Sequence, residues 1–583
     1  MRLSNRAIWL LWIALFAVWF GTLDYRKLIR PDEGRYAEIP REMVASGDWL
    51  TPRLNGFKYF EKPTLQYWAT ATAYEVFGED EWTARLWPAL TGFLSVLLAA
   101  WTGRRLWGAQ AGNLAAAILA STLCYVIMSH IITLDMGLSF FLQMAWTAFL
   151  FAQQGDAKTS RHWMWLLWTA LALAVLSKGL VALVLCGATL VAYTLFNRDF
   201  SPWKRLAPCS GLALFLAIAA PWFIAVSIAN PEFARFFFIH EHFERFLTTA
   251  HRRYQPDWYF LQIYALGALP WTFLLLHALF KSWRRDITVT FQTQRFLALW
   301  VLITFGFFSV SSSKLPPYIL PIFPALALLG GRHLAELPRR QLLSHLAVLA
   351  VLVIAAIAFL PRIMERAGTE TTAAMLNGYL HWLLTSSTLL LAAIFAAMLL
   401  TVKQHNAAAL LALAVGATIA GFGTLLGHQN LALSNSAFHV ATQVKPLLTP
   451  GVPFYSVNKY EQTLPFYIKR TVTLVNYQGE LAFGIKQEPD KWVPTTAEFK
   501  QRWASDRDAF AIMSIDNYNG LAAEQLPMSE IARDTRNVIV RKNNSPPTPR
   551  SRSGGDGCSA AQNAASASMA DSFLGQPCER ATQ

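Results

Sequence analysis

Long apolar stretches, separated by short polar ones, fill the first three quarters of the chain. About thirteen of them approach the ~20 residues that an α-helix needs to cross a bilayer. The run from 163 to 196 is divided at Lys178-Gly179, because a lysine at the bilayer centre would cost about 2.5–3.5 kcal/mol. The predicted spans are residues 7–23, 83–103, 111–129, 134–153, 163–177, 179–196, 208–229, 258–280, 296–312, 318–331, 342–360, 381–402 and 407–427. This pattern predicts a polytopic α-helical membrane protein.

Lysine and arginine are concentrated in alternate loops between these spans. Cytoplasmic loops carry such an excess, so the N-terminus is predicted inside and everything after Gly427 outside. Two long loops, 24–82 and 230–257, then lie on the outer side. The first span resembles a signal peptide, but it lacks a small-x-small cleavage site and runs directly into a charged segment, so we interpret it as a span.

The outer parts of the chain differ in character. Residues 32–46 have the pattern of an amphipathic helix lying in the membrane interface. The aromatic residues and cations of loop 230–257 predict either a lipid headgroup surface or an aromatic belt that anchors a helix end. Residues 544–583, rich in Ser, Ala, Gly and Pro, predict a disordered tail.

Residues 430–543 alternate between strand-like and helix-like segments, which predicts a small α/β domain outside the membrane. The predicted strands are 452–457, 471–476, 509–514 and 537–541, and the predicted helices are 458–468, 496–506 and 519–525.

Composition excludes several classes of protein. Hydrophobic residues make up 54% of the chain and charged residues 15%, against about 25% charged in soluble globular proteins. The net charge of +14 resides largely in short loops, where it acts as a topology signal, so nucleic-acid binding is not expected. The five cysteines include no CxxC pair or Cys/His cluster, so neither a zinc finger nor a disulfide scaffold is supported.

Ionisable residues at the outer membrane boundary are the candidate chemistry. Asp32, Glu33 and Arg35 follow the first span, and Tyr36 comes next. Two adjacent carboxylates with an arginine three positions after Asp32 can form a site at a helix start. The alternative is that Asp32 only caps the helix and Arg35 is solvated.

Three further groups lie at the same boundary. They are Glu61-Lys62 between aromatic residues, Asp135 between two spans, and Lys314 with Tyr318 around a Pro-Pro turn. Each has a structural alternative: a surface ion pair, a helix cap and a snorkelling lysine. An acid in a short turn without a counter-charge is nevertheless expensive, and acids inside membranes are often functional.

His240 and His242 flank Glu241 in the second outer loop, where ordinary interface histidines are the simpler interpretation. With Glu61, His242 could complete an oxygen/nitrogen site for a divalent metal ion such as Zn²⁺ or Mg²⁺. Sequence alone leaves their proximity open.

These motifs together resemble a known family. Asp32, Glu33 and Tyr36 after the first span, Glu61-Lys62-Pro63, Asp135 before the fourth span and Lys314-Leu315-Pro316-Pro317-Tyr318 are similar to the bacterial branch of the protein O-mannosyltransferase superfamily. Its members are GT-C membrane glycosyltransferases that use polyprenyl-phosphate sugars. Thirteen spans followed by a periplasmic α/β domain are most similar to the members that attach 4-amino-4-deoxy-L-arabinose to lipid A.

The resemblance implies a GT-C fold with a transmembrane catalytic domain at residues 1–429. It also implies a multi-pass enzyme of the bacterial inner membrane whose site faces the periplasm. The donor would be undecaprenyl phosphate-aminoarabinose, the acceptor a lipid A phosphate and the transfer inverting, which would give resistance to polymyxin and other cationic peptides. We expect a monomer surrounded by membrane lipids.

By the same resemblance, Asp32 and Asp135 would be the catalytic carboxylates. The residues expected to bind substrate are Glu33, Arg35, Tyr36, Lys62, Arg252, Arg253, Lys314 and Tyr318. Metal binding by Glu61 and His242 is a further hypothesis.

Two alternatives remain. A related transferase could glycosylate protein or another envelope lipid. A transporter or lipid flippase fits less well, because the acids are concentrated in outer loops and the chain has no evident pair of internal repeats.

Overall fold

A computed structural model of the chain describes residues 5–155, 157–244, 255–287, 289–365 and 368–543. The predicted tail, 544–583, lies outside the described residues. The helices are α1 Asn5–Gly21, α2 Asp32–Ser46, α3 Leu65–Phe77, α4 Glu81–Trp107, α5 Ala109–Ser121, α6 Leu123–Met128, α7 Asp135–Gln154, α8 Ala157–Lys178, α9 Val181–Asn197, α10 Ser201–Lys204, α11 Pro208–Ala229, α12 Tyr259–Gly267, α13 Thr272–Lys281, α14 Thr293–Val310, α15 Ile322–His333, α16 Arg339–Met364, α17 Ala373–Val402, α18 Asn406–Gly427, α19 Ala432–Asn435, α20 Phe438–Val444, α21 Leu464–Ile468, α22 Ala482–Gln487, α23 Thr496–Ser505 and α24 Ile515–Ala523. A π-helix lies at Arg235–Glu244, and short 3₁₀ helices lie at Pro316–Ile319, Leu334–Glu336, His428–Leu431, Lys445–Leu447, Gly479–Leu481 and Pro489–Lys491.

Each predicted span coincides with a helix or a pair of consecutive helices. Seven helices in the described part of the chain are long and apolar enough to cross a membrane, or eight if α12 and α13, bent by 107°, form one span. Helices α5 and α15 have 13 and 12 residues, about 20 Å at 1.5 Å per residue, which is short of a bilayer. The chain is therefore a multi-pass membrane protein, while the count of thirteen spans stays a prediction.

The spans pack closely because small residues face their neighbours. A Cβ atom at Gly112 of α5 would lie 2.3 Å from the carbonyl oxygen of Ala100 in α4, and one at Gly331 of α15 would lie 2.3 Å from that of Ala111. In a bilayer, where lipid is as apolar as the side chains, such close backbone approach provides much of the association between helices.

The strands form a two-stranded hairpin in the first outer loop and a six-stranded sheet near the C-terminus. They are β1 Arg53–Leu54, β2 Phe57–Lys58, β3 Phe454–Val457, β4 Thr473–Val475, β5 Trp492–Val493, β6 Phe510–Ser514, β7 Met528–Arg533 and β8 Asn537–Lys542. The larger sheet has the order β5-β4-β3-β6-β8-β7, with the first four strands parallel and the last two pairings antiparallel.

Side chains alternate between the two faces of this sheet. Phe454 and Phe510 lie in a core shared with α2 and α21, whereas Tyr455 and Ala511 pack with Trp503 of α23 on the other face.

Four strands were predicted correctly, at 452–457, 471–476, 509–514 and 537–541. Strands β5 and β7 were missed because β5 has two residues and β7 is a partly exposed edge strand containing Ser, Glu and Arg. The predicted helix 458–468 is wrong in extent, since the helix begins at Leu464. The helices predicted at 496–506 and 519–525 correspond to α23 and α24, and α24 begins at Ile515.

Helix α2 does not lie in the membrane interface, and that prediction is wrong. Every residue from Glu33 to Met43 is buried. Tyr36 and Ile39 share a core with Leu464 and Phe466 from the C-terminal part of the chain. Because side chains from both sides of residue 430 form one core, the division into domains 1–429 and 430–543 stays a prediction.

Candidate active site at the first turn of helix α2

The first turn of α2 carries Asp32 and Arg35. Asp32 opens the helix, where a carboxylate interacts favourably with the helix dipole, and its side chain is 39% exposed. Its Oδ1 lies 3.4 Å from Nη1 of Arg35. The Arg35 guanidinium is buried, and its Nη2 lies 3.2 Å from Oε2 of Glu480. One arginine thus lies between an acid of the first outer loop and an acid of the C-terminal region.

Tyrosine side chains surround this arginine. Its guanidinium carbon lies 5.6 Å from the ring centre of Tyr36 and 6.0 Å from that of Tyr59, and the rings of Tyr36 and Tyr67 are 6.2 Å apart. Burial raises the pKa of all three phenols, so they stay neutral donors at physiological pH. Glu61 lies within electrostatic range of the same group. We call Asp32, Arg35, Tyr36, Tyr59, Glu61, Tyr67 and Glu480 the Arg35 cluster.

Several polar atoms of this region have no hydrogen-bond partner among the described residues. They include Nε of Arg35, the hydroxyls of Tyr59 and Tyr67, and both amide atoms of the neighbouring Gln66. Buried polar groups are otherwise almost always paired, so a concentration of unpaired ones next to charged side chains indicates a polar ligand site.

The second acid, Asp135, opens helix α7 and is buried. Its Oδ1 accepts a hydrogen bond from Nζ of Lys178, the last residue of α8. Nζ of Lys178 also lies 4.4 Å from the ring centre of Tyr318. Three separate elements therefore bring an acid, a cation and a phenol together, and we call them the Lys178 cluster.

Glu33 connects the segments that carry the two acids. Its carboxylate accepts two hydrogen bonds of 2.8 Å from Arg85 of α4. It also accepts from the backbone N–H of Ile29 and, at 3.3 Å, from that of Ile132, three residues before Asp135. These bonds fit a residue that holds the protein framework, and the substrate binding predicted above for Glu33 stays a prediction.

Lys62 and Lys314 have contacts with other segments of the chain. Nζ of Lys62 donates to the carbonyl oxygen of Glu61 and lies 3.3 Å from Oε2 of Glu241 in the π-helix. Lys314 is 2% exposed, donates to the carbonyl oxygen of Gln255 at 3.0 Å and lies 3.5 Å from Oδ1 of Asp257.

Part of the predicted site cannot be placed. Arg252 and Arg253 lie outside the described residues, and so does the side chain of His242. Among the described residues, no three His, Cys, Asp or Glu side chains are grouped closely enough to hold a metal ion. Metal binding by Glu61 and His242 therefore stays a prediction.

The C-terminal region closes over the first turn of α2. A Cβ atom at Gly34 would lie 2.6 Å from the backbone carbonyl of Gln462, so only glycine fits this approach. The side-chain amide of Gln462 donates to Glu480 at 3.2 Å. Glu480, Lys178 and the tyrosines at 59 and 67 were missed at the sequence level. Lys178 had one signal, a lysine between two apolar runs, while Glu480 lies over 440 residues from Arg35 and had none.

The arrangement suits an anionic, hydroxylated ligand. Arg35, Lys62 and Lys178 are cations that can contact phosphate oxygens, arginine through a two-pronged fork and lysine as a point charge. Asp32, Glu61 and Glu480 can accept hydrogen bonds from hydroxyl or ammonium groups. The Arg35 cluster contains both a cation and carboxylates, and such a site can bind a phosphate ester of a sugar.

Two family models match the chain. One, described as "Dolichyl-phosphate-mannose-protein mannosyltransferase", matches residues 6–240, and the other, described as "Aminoarabinose transferase C-terminal domain", matches residues 440–542. The first covers the segments of Asp32 and Asp135 and the second covers Glu480.

Two solved structures are similar over almost the whole chain. ArnT from Cupriavidus metallidurans bound to undecaprenyl phosphate has 36% sequence identity and a TM-score of 0.89, covering 93% of this chain and 99% of that one. The apo state of that protein has 36% identity and a TM-score of 0.86, covering 92% and 98%.

Curated relatives carry the name undecaprenyl phosphate-alpha-4-amino-4-deoxy-L-arabinose arabinosyl transferase. The protein from Pseudomonas aeruginosa (strain UCBPP-PA14) is 35% identical over 374 residues, 61% of this chain and 66% of its own length. The protein from Aeromonas salmonicida (strain A449) is 36% identical over 331 residues, 56% of this chain and 59% of its own length. The matched part thus spans slightly less than two thirds of these relatives.

Proposed function

The chain belongs to the ArnT family of GT-C glycosyltransferases, and on that premise we propose that it transfers 4-amino-4-deoxy-L-arabinose from undecaprenyl phosphate to a phosphate group of lipid A. The observation that carries the proposal is the Arg35 cluster, a cation between carboxylates and unpaired phenols, in a chain that matches ArnT bound to undecaprenyl phosphate over 93% of its length. The enzyme acts at the periplasmic face of the inner membrane, as a monomer.

The transfer is an inverting displacement. A phosphate oxygen of lipid A forms the new bond to the anomeric carbon as the bond from that carbon to undecaprenyl phosphate breaks, and the leaving phosphate keeps the electron pair. The acceptor is already anionic near neutral pH, so it needs no strong base. The main electrostatic task is to bring two phosphates together and to stabilise charge on the leaving one.

The described cations divide this task. Arg35 and Lys62, both near Glu61, contact one phosphate, and Lys178, at the end of α8, and Lys314, in the loop after α14, contact the other. We infer that Asp32 orients Arg35 and the sugar and is not obligatorily a proton acceptor. Asp135 holds Lys178 in place through their hydrogen bond. A hydroxyl acceptor, as on a protein, would instead require a general base, and Asp32 is the exposed acid for that role.

The amino group of the sugar is a cation at neutral pH and requires a carboxylate partner. Glu61 and Glu480, beside the tyrosines, supply such partners. The aromatic rings add cation–π attraction for the ammonium group. This assigns the C-terminal region a part in substrate contact.

Reconstitution with defined substrates tests the proposal. The full chain in proteoliposomes, supplied with undecaprenyl phosphate-aminoarabinose and lipid A, is expected to increase the mass of lipid A by one aminopentose residue. Mass spectrometry of lipid A and of added envelope proteins identifies the acceptor. Label on protein or on another glycolipid, with lipid A unmodified, would replace this function with that of a related transferase.

The hypothetical metal site has a separate test. If Glu61 and His242 bind a divalent ion that offsets phosphate repulsion, chelation should lower the transfer rate and added Zn²⁺ or Mg²⁺ should restore it. Full activity after stringent chelation, and in the Glu61→Ala and His242→Ala variants, would remove the metal from the mechanism.

We also propose a consequence for the cell. Adding an ammonium group to lipid A reduces its negative charge and weakens Coulomb attraction to polymyxin and other cationic peptides. Loss of the enzyme should therefore lower the peptide concentration that inhibits growth.

A further inference from the structure

Helices α1, α5 and α18 enclose a cavity of about 350 Å³. Thirteen of its fifteen lining residues are apolar, and the two polar ones are Asn113 and Thr418. Lining residues such as Leu11 and Val415 are more than a third exposed, so the cavity opens on the outer surface of the bundle. Its volume lies in the range of about 300–1,000 Å³ that is usual for ligand sites. Because its walls are apolar, it suits a hydrocarbon and not water.

The cavity arises because the two ends of α1 pack differently. Near the end of α1, Nε1 of Trp19 donates to the carbonyl oxygen of Ala89 in α4 at 2.9 Å, and the Trp19 ring lies 6.1 Å from that of Phe422 in α18. Towards the start of α1, the wall on α5 includes Ala116 and Ala117, whose methyl groups are too short to fill the space. Walls without partner atoms lose van der Waals contacts, so a chain that fills the cavity is bound favourably.

The cavity has the depth of one leaflet of a bilayer. On α1 it extends over ten residues, from Ile8 to Val18, or about 15 Å at 1.5 Å per residue, against a hydrocarbon thickness of about 30 Å. Because α1 ends at the first outer loop and α5 turns back from α4 at Gly108, α1, α5 and α18 all begin on the side remote from α2. The lining begins within the first two turns of each helix. One acyl chain of a phospholipid in that leaflet occupies the same depth.

Cations lie at the end where these helices begin. Arg6 is in the first turn of α1, Arg104 in the last turn of α4, and Lys403 in the turn before α18, and all three are exposed. A Cβ atom at Gly112 would lie 3.0 Å from Cα of Arg104, which places Arg104 next to Asn113 in the cavity wall. The amide of Asn113 can donate to an ester or phosphate oxygen. This end of the cavity is therefore complementary to an anionic lipid headgroup.

We propose that the cavity binds one acyl chain of an anionic phospholipid, with the headgroup against Arg6, Arg104 and Lys403 and the glycerol esters beside Asn113. With the N-terminus inside, as the loop charges predict, this lipid belongs to the cytoplasmic leaflet. It fills the space between α1 and the rest of the bundle and so holds α1 against α5 and α18. The site lies at the opposite ends of the spans from the Arg35 cluster and does not rest on the proposed function.

Binding of defined lipids to the full-length protein tests the site. Palmitoyl-oleoyl phosphatidylglycerol is titrated in a non-ionic detergent, and the most tightly bound lipid is followed by native mass spectrometry. Ala117→Phe places a ring in the cavity and is expected to raise the dissociation constant of that lipid at least fivefold. Ala217→Phe is the matched control, because Ala217 is an exposed residue of α11 away from the cavity, and it should change the constant less than twofold.

The headgroup has its own comparison. Palmitoyl-oleoyl phosphatidylcholine, with the same chains and no net charge, should bind at least fivefold more weakly than phosphatidylglycerol, and Arg6→Gln/Lys403→Gln should remove most of this preference. Lys204→Gln/Arg284→Gln is the control, since it also removes two exposed cations on the same predicted side, and it should leave the preference unchanged. Equal affinity of the wild type for the two lipids would overturn the anionic headgroup.

A second cavity variant guards against misfolding. If Ala117→Phe does not fold, Val415→Phe, on the α18 wall, should show the same loss of phosphatidylglycerol binding. Wild-type affinity in either folded variant overturns the proposal. Undecaprenyl phosphate is titrated in the same way. If Ala117→Phe weakens its binding and leaves that of phosphatidylglycerol unchanged, the cavity belongs to a polyprenyl chain, and the phospholipid assignment is wrong.

Discussion

The first turn of α2 and the remainder of the same helix use similar side chains in opposite ways. In the first turn, Asp32 is 39% exposed, and polar atoms of Arg35 and its neighbours lack partners among the described residues. Further along, Arg41 donates two 2.6 Å bonds to the carboxylate of Glu38, and both residues are buried. Glu33 lies in the first turn itself, yet it is paired in the same closed way, with Arg85 of α4. A buried charged side chain therefore does not by itself indicate a functional site. What distinguishes the site is polar atoms that have no hydrogen-bond partner among the described residues and can bind a ligand.

The largest effect is expected where a buried ion pair is broken. Arg85→Ala should lower the free energy of unfolding by about 3–5 kcal/mol, because it leaves the buried carboxylate of Glu33 unpaired. The measurement is the thermal or denaturant unfolding of the purified protein in detergent. Arg332→Ala is the matched control, since Arg332 pairs with Glu336 at the surface over four residues, and it should cost about 0.5 kcal/mol or less. Equal effects would show that the buried pair has no special weight.

The second effect should appear in activity and not in stability. Asp32→Asn removes a partly exposed charge that contacts Arg35, and we expect a loss of about a hundredfold in transfer rate with an unchanged unfolding curve. The rate is measured on lipid A with undecaprenyl phosphate-aminoarabinose as the donor. Near-full activity would contradict an essential charged role for Asp32 and would leave it as a helix-start residue.

The third effect concerns Asp135 and Lys178. They are hydrogen-bonded to each other, like the buried ion pairs of Glu38 and Glu33, but they also lie beside Tyr318 in the proposed site. A double-mutant cycle with Asp135→Asn and Lys178→Ala should give a coupling of about 0.5–3 kcal/mol in the activation free energy, since residues in direct contact are non-additive. Additive losses in activity would mean that each residue acts on substrate by itself and that their bond is incidental.

The comparison also shows what sequence could and could not predict. Hydrophobic runs located the apolar helices, because bilayer thickness sets a length that composition reveals, while the number of them that cross the membrane stays a prediction. Asp135 stood out because a carboxylate in a short turn between two spans is costly, and Asp32 stood out because it begins a pattern of two adjacent carboxylates and an arginine after the first span. Glu480 could not be found, since its relevance depends on a fold that brings residue 480 to residue 35.

Helix α2 was misread as interfacial for a related reason. Its charges looked solvated in sequence, but in the fold Arg41 pairs with Glu38, Glu33 pairs with Arg85 of α4, and Arg35 contacts Glu480 of the C-terminal region. Glu38 and Arg41 can be buried because they pair with each other, and the pattern of hydrophobic and polar residues does not reveal that pairing.

The smallest effect should come from a charge at the junction of the first outer loop and the C-terminal region. Glu488 accepts bonds from Arg53, Lys491 and the N–H of Lys58. Desolvation opposes its ionisation, but the bonds from Lys491 and Arg53 outweigh it and hold the pKa of Glu488 below its usual value of 4.5. A carboxyl whose folded pKa is depressed stabilises the fold above its unfolded pKa, and that contribution is lost as the pH falls through the folded pKa.

Glu488→Gln should therefore destabilise the protein by about 1 kcal/mol at pH 7, and the difference from wild type should shrink below pH 4.5. Unfolding curves at pH 7, 5 and 3.5 measure it. Glu498→Gln is the matched control, since Glu498 pairs with Arg502 on an exposed helix face, and it should change stability less at every pH. If Glu488→Gln lowers the free energy of unfolding by the same amount at all three pH values, the effect comes from packing and not from charge. The bonds across this junction would then resemble the neutral contacts of the core more than the ion pairs of α2.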